Sequence, residues 1–268
     1  MTAQSASTSP FLGYPIRPAA TAATLGPTVV VAPHPDDESL GCGGLLALLR
    51  QAGQPVWCVL VSDGTMSHPN SRAFPPAARQ ALREQELRDA LHILGVEPAA
   101  LLTLQLPDSQ VPLPDSPAGF AAVQQLQQFL SQHQPATLLV PWRRDPHPDH
   151  RATSQLVAAA LVGLPGAPRR LEYVVWAWER ATPAEWPQPQ EVVGWQLDIR
   201  SVLEQKQRAI AAHRSQLPGS PIHDDPTGFT LAPSMLAHFT APTEVYLEAP
   251  HPQDALHSGL LPYPTHDS

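Results

Sequence analysis

Short runs of Val, Leu and Ile recur along the chain and alternate with helix-length segments. Runs at 29–31, 56–61, 101–106, 137–142, 171–178, 192–199 and 244–247 read as strands, bounded by Pro, Gly, Asp and Ser. Segments at 40–53, 77–94, 117–132, 151–163 and 201–216 read as helices. Such alternation builds βαβ units, so the expected fold class is α/β, a mostly parallel sheet flanked by helices. A sheet of that kind binds its ligand beyond the carboxyl ends of its strands. Four predicted strand ends carry related side chains: His34, Asp36 and Asp37, then Asp63, then Asp108, then His147, Asp149 and His150. The topology gathers all of them at one rim.

The first of these ends reads Val-Val-Val-Ala-Pro-His-Pro-Asp-Asp-Glu, with Pro33 and Pro35 flanking His34. Two prolines restrict the backbone and fix where the histidine and the carboxylates point. The helix that follows is apolar nearly all round and should be buried. Its Gly41, Gly43 and Gly44 do not match a dinucleotide fingerprint, and Asp36, Asp37 and Glu38 would repel a pyrophosphate, so close helix–sheet packing accounts for them better. In the helix at 77–94, Leu87, Ala90, Leu91 and Leu94 form a stripe, with Arg83 inside it and Glu86 at its edge. A charge on a buried side needs a partner; a structural ion pair and a contact with substrate both remain open. Asp149 or His150 should cap the helix at 151–163. In the last helix Leu203 and Ile210 face inward, and Lys206 and His213 fit either a surface pair or an approach to the site.

A chain of 268 residues with 43% hydrophobic content suffices for one large domain. A net charge of −8 and the lack of a basic stripe argue against nucleic acid as a partner. Cys42 and Cys58 lie in apolar contexts and read as core thiols. No run approaches the 18 apolar residues of a membrane span. Residues 1–27 are rich in Ser, Thr, Ala and Pro without a basic start or continuous apolar run, and read as a poorly ordered arm rather than a signal peptide. The domain then spans 28–250, and 251–268 form an irregular tail. The expected location is the cytoplasm; the sequence leaves the oligomeric state open, a homo-oligomer included.

Imidazoles and carboxylates are ligands for a borderline divalent cation, and catalytic zinc takes three protein ligands with one position left for water. His34, Asp37 and His150 would supply a two-histidine, one-carboxylate set. Asp36 would stand beside the metal as general base towards its water. His147 would reach the same space and, as imidazolium, stabilise a developing oxyanion, while Asp149 holds one ring in its tautomer.

The motifs His34-Pro-Asp-Asp-Glu and His147-Pro-Asp-His resemble those of the PIG-L/LmbE-like family of metal-dependent N-deacetylases, in the family's order and each at a strand end. Arg83-Glu-Gln-Glu86, Pro107-Asp108-Ser109, Lys206 and His213-Arg-Ser-Gln216 also look like family features. The resemblance implies a single Rossmann-like domain that binds one zinc per chain and hydrolyses an N-acetyl group on a small amino-sugar conjugate. Iron or manganese would also suit the ligands. It implies His34, Asp37 and His150 as ligands, Asp36 as base and His147 as electrostatic partner. Asp149 supports them, and Asp108, with Arg83 and Asp63, faces the substrate.

Arg143, Arg144 and Arg151 more readily neutralise nearby carboxylates than clamp a substrate anion. Asp63 is either near the site or the polar end of a strand. Trp142, Trp176, Trp178 and Trp195 read as core or pocket wall. Loops at 64–76, 107–117 and 217–242 should select the substrate. Two other functions stay open: a two-metal hydrolase of another bond such as a phosphoester, with Glu38 and Asp63 as extra ligands, and a non-catalytic binding module.

Overall fold

The computed structural model describes residues 10–250. Eight strands form one sheet: β1 Ile16–Arg17, β2 Thr28–Ala32, β3 Val56–Ser62, β4 Leu101–Leu106, β5 Thr137–Pro141, β6 Arg169–Tyr173, β7 Val193–Asp198 and β8 Thr243–Glu248, in the order β1-β7-β8-β6-β5-β2-β3-β4. All neighbours run parallel except β8, which pairs antiparallel with both β6 and β7. The chain builds outward from β2 through β3 to β4, then returns to place β5 on the other side of β2. The strand order therefore reverses between β2 and β5, where the carboxyl ends of an α/β sheet open a crevice. The two histidine motifs follow these two strands.

Six α-helices cover the sheet: α1 Asp37–Gln51, α2 Pro76–Ile93, α3 Pro117–His133, α4 Pro148–Leu161, α5 Leu203–Ala212 and α6 Pro233–Phe239. Side chains on a strand alternate between faces. Val30, Ala32, Cys58 and Leu60 accordingly pack with α1, α2 and α5, and Val29, Val31, Val59 and Val61 with α3 and α4. The central strands read as unbroken apolar runs because both faces are covered. Helix α1 is buried from Asp37 to Leu49. Its glycines serve close packing: a Cβ on Gly41 would meet Tyr173 Cδ2 at 2.3 Å, and one on Gly44 would meet Ile199 Cγ2 at 2.7 Å.

Several elements depart from the sequence reading. Over its described part the N-terminal arm is not loose: β1 pairs with β7, Phe11 is fully buried, and Ala22 and Leu25 join the core. A two-residue strand and a 3-10 turn at Ala19–Thr24 leave too little periodicity to be legible. Residues 1–9 and the tail at 251–268 lie outside the described residues. The strand expected over 171–178 ends at Tyr173 and passes into a 3-10 turn at Trp176–Trp178. Helix α1 begins at Asp37, which brings Asp37 and Glu38 into its first turn, where the helix dipole favours carboxylates. Helix α4 is capped by His147, whose ring nitrogen accepts the Asp149 amide, rather than by Asp149 or His150. The last helix ends at Ala212, and α6 occupies part of the segment expected to be irregular. No helix among the described residues is long and apolar enough to cross a membrane.

Candidate metal centre and active site

Asp37 opens α1, and its side chain turns back over the end of β2. Asp37 Oδ2 accepts the His34 backbone N–H at 3.0 Å and lies 3.3 Å from His34 Nδ1. The same oxygen is 3.2 Å from His150 Nε2, on the first turn of α4. One carboxylate oxygen thus stands between imidazoles from two loops 116 positions apart in the chain. The other nitrogen of His34, Nε2, faces Asp149 Oδ2 at 3.0 Å and Asp108 Oδ1 at 3.3 Å. With its proton on Nε2, His34 presents Nδ1 towards Asp37.

His150 is fully buried, and neither ring nitrogen makes a hydrogen bond among the described residues. Buried polar atoms are rarely left so, and a neutral imidazole nitrogen facing a carboxylate is what a divalent cation requires. Asp145 Oδ1 lies 3.5 Å from His150 Nδ1, and its carboxylate also accepts the His147 and Trp176 amides, so Asp145 fixes the back of the ring. Donor atoms of His34, His147 and His150 fall within 4.8 Å of one another, as do those of His34, Asp108 and Asp149. The first cluster shares His34 and His150 with the contacts of Asp37 Oδ2. The second surrounds His34 Nε2, where a ring N–H donating to carboxylates already accounts for the geometry. The donor set fits a divalent metal.

Asp36 stands between Pro35 and α1 at φ 143°, ψ −28°, a conformation seldom adopted outside glycine. Its amide donates to Glu38 Oε2 at 3.1 Å, and its carbonyl accepts the Ser39 and Leu40 amides. Burial and the adjacent Asp37 carboxylate push the Asp36 carboxyl up to about 7, against the pull of Arg83, His213 and His34. Burial alone would raise Asp37 too, but the His150 and His34 imidazoles hold it well below the usual carboxylate range. Burial works against a proton on His34 and His150, yet surrounding carboxylates raise both: Asp108, Asp149 and Asp37 around the first, Asp37 and Asp145 around the second. The excess of carboxylates that holds protons there would equally hold a cation.

His147 is not the imidazolium expected from sequence. Burial, then the charge of His34 and His150, pushes it down to about 3, and its Nδ1 accepts the Asp149 amide at 3.2 Å. The neutral ring therefore carries its proton on Nε2. The Asp149 carboxylate faces His34 while its amide serves His147; its oxygens also accept the Ser109 and Val111 amides at 2.7 and 3.1 Å, so it positions His34 and the loop after β4.

Arg83 reaches the site from α2, donating to Pro35 O and Gly64 O at 2.9 Å each, with Nη2 3.5 Å from Asp36 Oδ2. Its neighbour Glu86 accepts the amide and hydroxyl of Ser215 instead of pairing with it. Asp63 does not line the cleft. Its Oδ1 accepts from Thr65 and from the Asp108 amide, bracing the loops after β3 and β4. Glu38 is likewise occupied, by Ser39, the Asp36 amide and His213 Nε2 at 2.9 Å. Neither carboxylate is free to complete a second metal site.

The flanking arginines are structural: Arg143 pairs with Glu172, Arg144 with Glu191, and Arg151 donates to Asp145 O and Pro146 O. Lys206 and His213 are buried and do not pair with each other; Lys206 Nζ meets Glu244 at 2.7 Å. Trp142 and Trp195 are core, whereas Trp176 walls the cleft beside His147. The same wall carries Ser67 Oγ and Gln216 Oε1, buried and without hydrogen-bond partners among the described residues. Ser67 gave no signal in the sequence. Asp145 did, since it stands two residues before His147, but nothing local marks it as a support for His150.

The PIG-L family profile, described as GlcNAc-PI de-N-acetylase, matches residues 29–161, from β2 to the end of α4 and through both histidine motifs. This chain belongs to the PIG-L/LmbE family. Its relatives include a probable N-acetyl-alpha-D-glucosaminyl L-malate deacetylase 2 of Bacillus cereus, 29% identical over 192 residues, covering 70% of this PIG-L chain and 82% of the relative. A diacetylchitobiose deacetylase of Thermococcus kodakarensis is 28% identical over 196 residues, covering 70% of this chain and 69% of the relative. Among solved structures, a conserved protein from Thermus thermophilus superposes with a TM-score of 0.59 at 26% identity, over 90% of this chain and 99% of that one.

Proposed function

We propose that this protein hydrolyses the N-acetyl group of an amino-sugar conjugate, using one divalent cation held by His34, Asp37 and His150. The observation that carries the reading is the meeting of the two loops on Asp37 Oδ2, with neither nitrogen of buried His150 in a hydrogen bond among the described residues. Zinc is the ion assigned, because two imidazoles and a carboxylate with room for water form its catalytic set; iron or manganese are the alternatives that metal analysis of the purified protein decides. When bound, the cation polarises the amide carbonyl and lowers the pKa of a water.

Everything else falls to side chains. Asp36, with its carboxyl raised to about 7 by burial, accepts the proton of the attacking water as general base and returns it to the amine nitrogen as the carbon–nitrogen bond breaks. Arg83 keeps the Asp36 loop in place through Pro35 O. His147 Nε2–H donates to the carbonyl oxygen as negative charge develops on it, a donation that a neutral imidazole makes when its geometry is fixed beforehand. Asp149 and Asp145 orient His34 and His150 from behind. Asp108, Ser67 and Gln216 line the cleft where sugar hydroxyls would be recognised. The relatives named as deacetylases of glucosaminyl malate and of diacetylchitobiose support an acetamido sugar as the reacting end.

The test is acetate release from N-acetylglucosaminyl conjugates by the zinc-reconstituted protein. Asp36→Ala should keep one metal per chain and lose about 10²–10⁴-fold in rate. Undiminished turnover in that variant would remove Asp36 from its role, and no acetate from any acetamido sugar would remove the reading.

A further inference from the structure

The cleft encloses about 190 Å³, less than the roughly 300–1,000 Å³ of pockets that engulf a whole small-molecule ligand. The acetamido end of a conjugate fits inside, and whatever is attached to the sugar lies at the rim. Arg180 stands there. It is exposed, its guanidinium carbon lies 3.9 Å from the centre of the Trp176 ring, and Trp176 in turn stacks on His147 at 6.0 Å. Other arginines bordering the site are committed: Arg143 and Arg144 to Glu172 and Glu191, Arg151 and Arg83 to backbone carbonyls. Arg180 has no carboxylate partner among the described residues. Inside the cleft Arg83 is taken up by Asp36 and Asp108 at 3.5 and 3.7 Å, so the guanidinium left for an anion on the ligand is the one at the mouth.

We propose, resting on the deacetylase reading, that Arg180 binds an oxyanion on the group attached to the sugar, so that the preferred substrate is an acidic conjugate rather than a neutral oligosaccharide. The Trp176 ring holds the guanidinium at the cleft wall, and a guanidinium offers a carboxylate or phosphate a bidentate contact. An ordinary exposed arginine would be mobile in solvent and indifferent to the ligand; this one is tied to the wall that carries His147.

The experiment uses zinc-loaded protein titrated calorimetrically with three probes: N-acetylglucosaminyl malate, N-acetylglucosamine 1-phosphate and N,N′-diacetylchitobiose. Acetate release is followed separately. The wild type should bind at least one acidic probe more tightly than chitobiose. Arg180→Gln should weaken that probe by about tenfold or more and leave chitobiose within twofold, and Arg180→Lys should recover part of the loss. Which acidic probe responds identifies carboxylate or phosphate. Equal binding of all three probes by the wild type, or a variant that weakens none or weakens all alike, overturns the proposal. Arginine-dependent binding without acetate from any probe would instead leave the rim site standing and sink the deacetylase reading.

Discussion

Asp36 sits at φ 143° between a proline and a helix start, a backbone state that costs a residue with a side chain about 1–3 kcal/mol. The surroundings hold it there: Glu38 takes its amide, and His213, Ser39 and α1 hold Glu38. The strained carbonyl accepts two helix amides, and the side chain is left facing the cleft. A carboxyl raised to about 7 has a direct kinetic consequence. Asp36 must be ionised to accept a proton, so kcat/KM should fall as pH drops through that value. A bound cation attracts the carboxylate form and moves the limb lower, so in the metal-loaded enzyme it should lie at or below about pH 7. Rate profiles from pH 5 to 9 check this. A limb that persists unchanged in Asp36→Asn would belong to another group.

At the scale of elements, α1 ties the site to the far end of the chain. The Gly44 and Leu45 amides donate to Glu244 on β8 at 2.7 and 2.8 Å, and Glu244 also receives Lys206 Nζ and the Tyr246 hydroxyl. The need for glycine at 41, 43 and 44 was readable from composition and spacing, because an anion loop there conflicted with three adjacent carboxylates. Glu244 as the common acceptor was not: its partners lie 38 and 200 positions away, and no local period records such a meeting. For the same reason the sequence leaves Lys206 and His213 open between a surface pair and an approach to the site, whereas each serves a different buried glutamate. Strand ends and the residue types on them were legible because each is local; which of them share a contact was legible only through topology. Gly41→Ala tests the packing. The new methyl group would meet the ring of Tyr173, itself buried and pinned by a hydroxyl bond to Val31 O. Urea unfolding should show a loss of about 1–3 kcal/mol or more, with weaker zinc affinity because Asp37 lies one turn away. Gly13→Ala, with nothing within 4 Å, should change neither.

For the molecule as a whole, the candidate metal centre is a clasp across the sheet's switch point. His34 and Asp37 follow β2, His150 follows β5, and the direct β2–β5 pairing covers only three residue pairs, Thr28 to Val30 against Thr137 to Leu139. Beyond those pairs the two strand ends separate into the crevice, and side chains rather than ladder hydrogen bonds must join them. A cation shared by the two loops binds the folded chain and not the unfolded one, so it stabilises by mass action, about 2.7 kcal/mol at a hundredfold excess over Kd. For a domain of this size each kcal/mol moves Tm by about 2–4 °C, so zinc should raise Tm on the order of 5–10 °C above the chelated protein. His150→Ala should abolish the zinc-dependent increment while leaving a cooperative transition, since it removes one ligand and no core strand. Arg180→Gln, at the rim, should retain the full increment. Thermal scans of the three proteins with chelator and with zinc make the comparison, and an equal rise in His150→Ala would place the ion elsewhere than between the two loops.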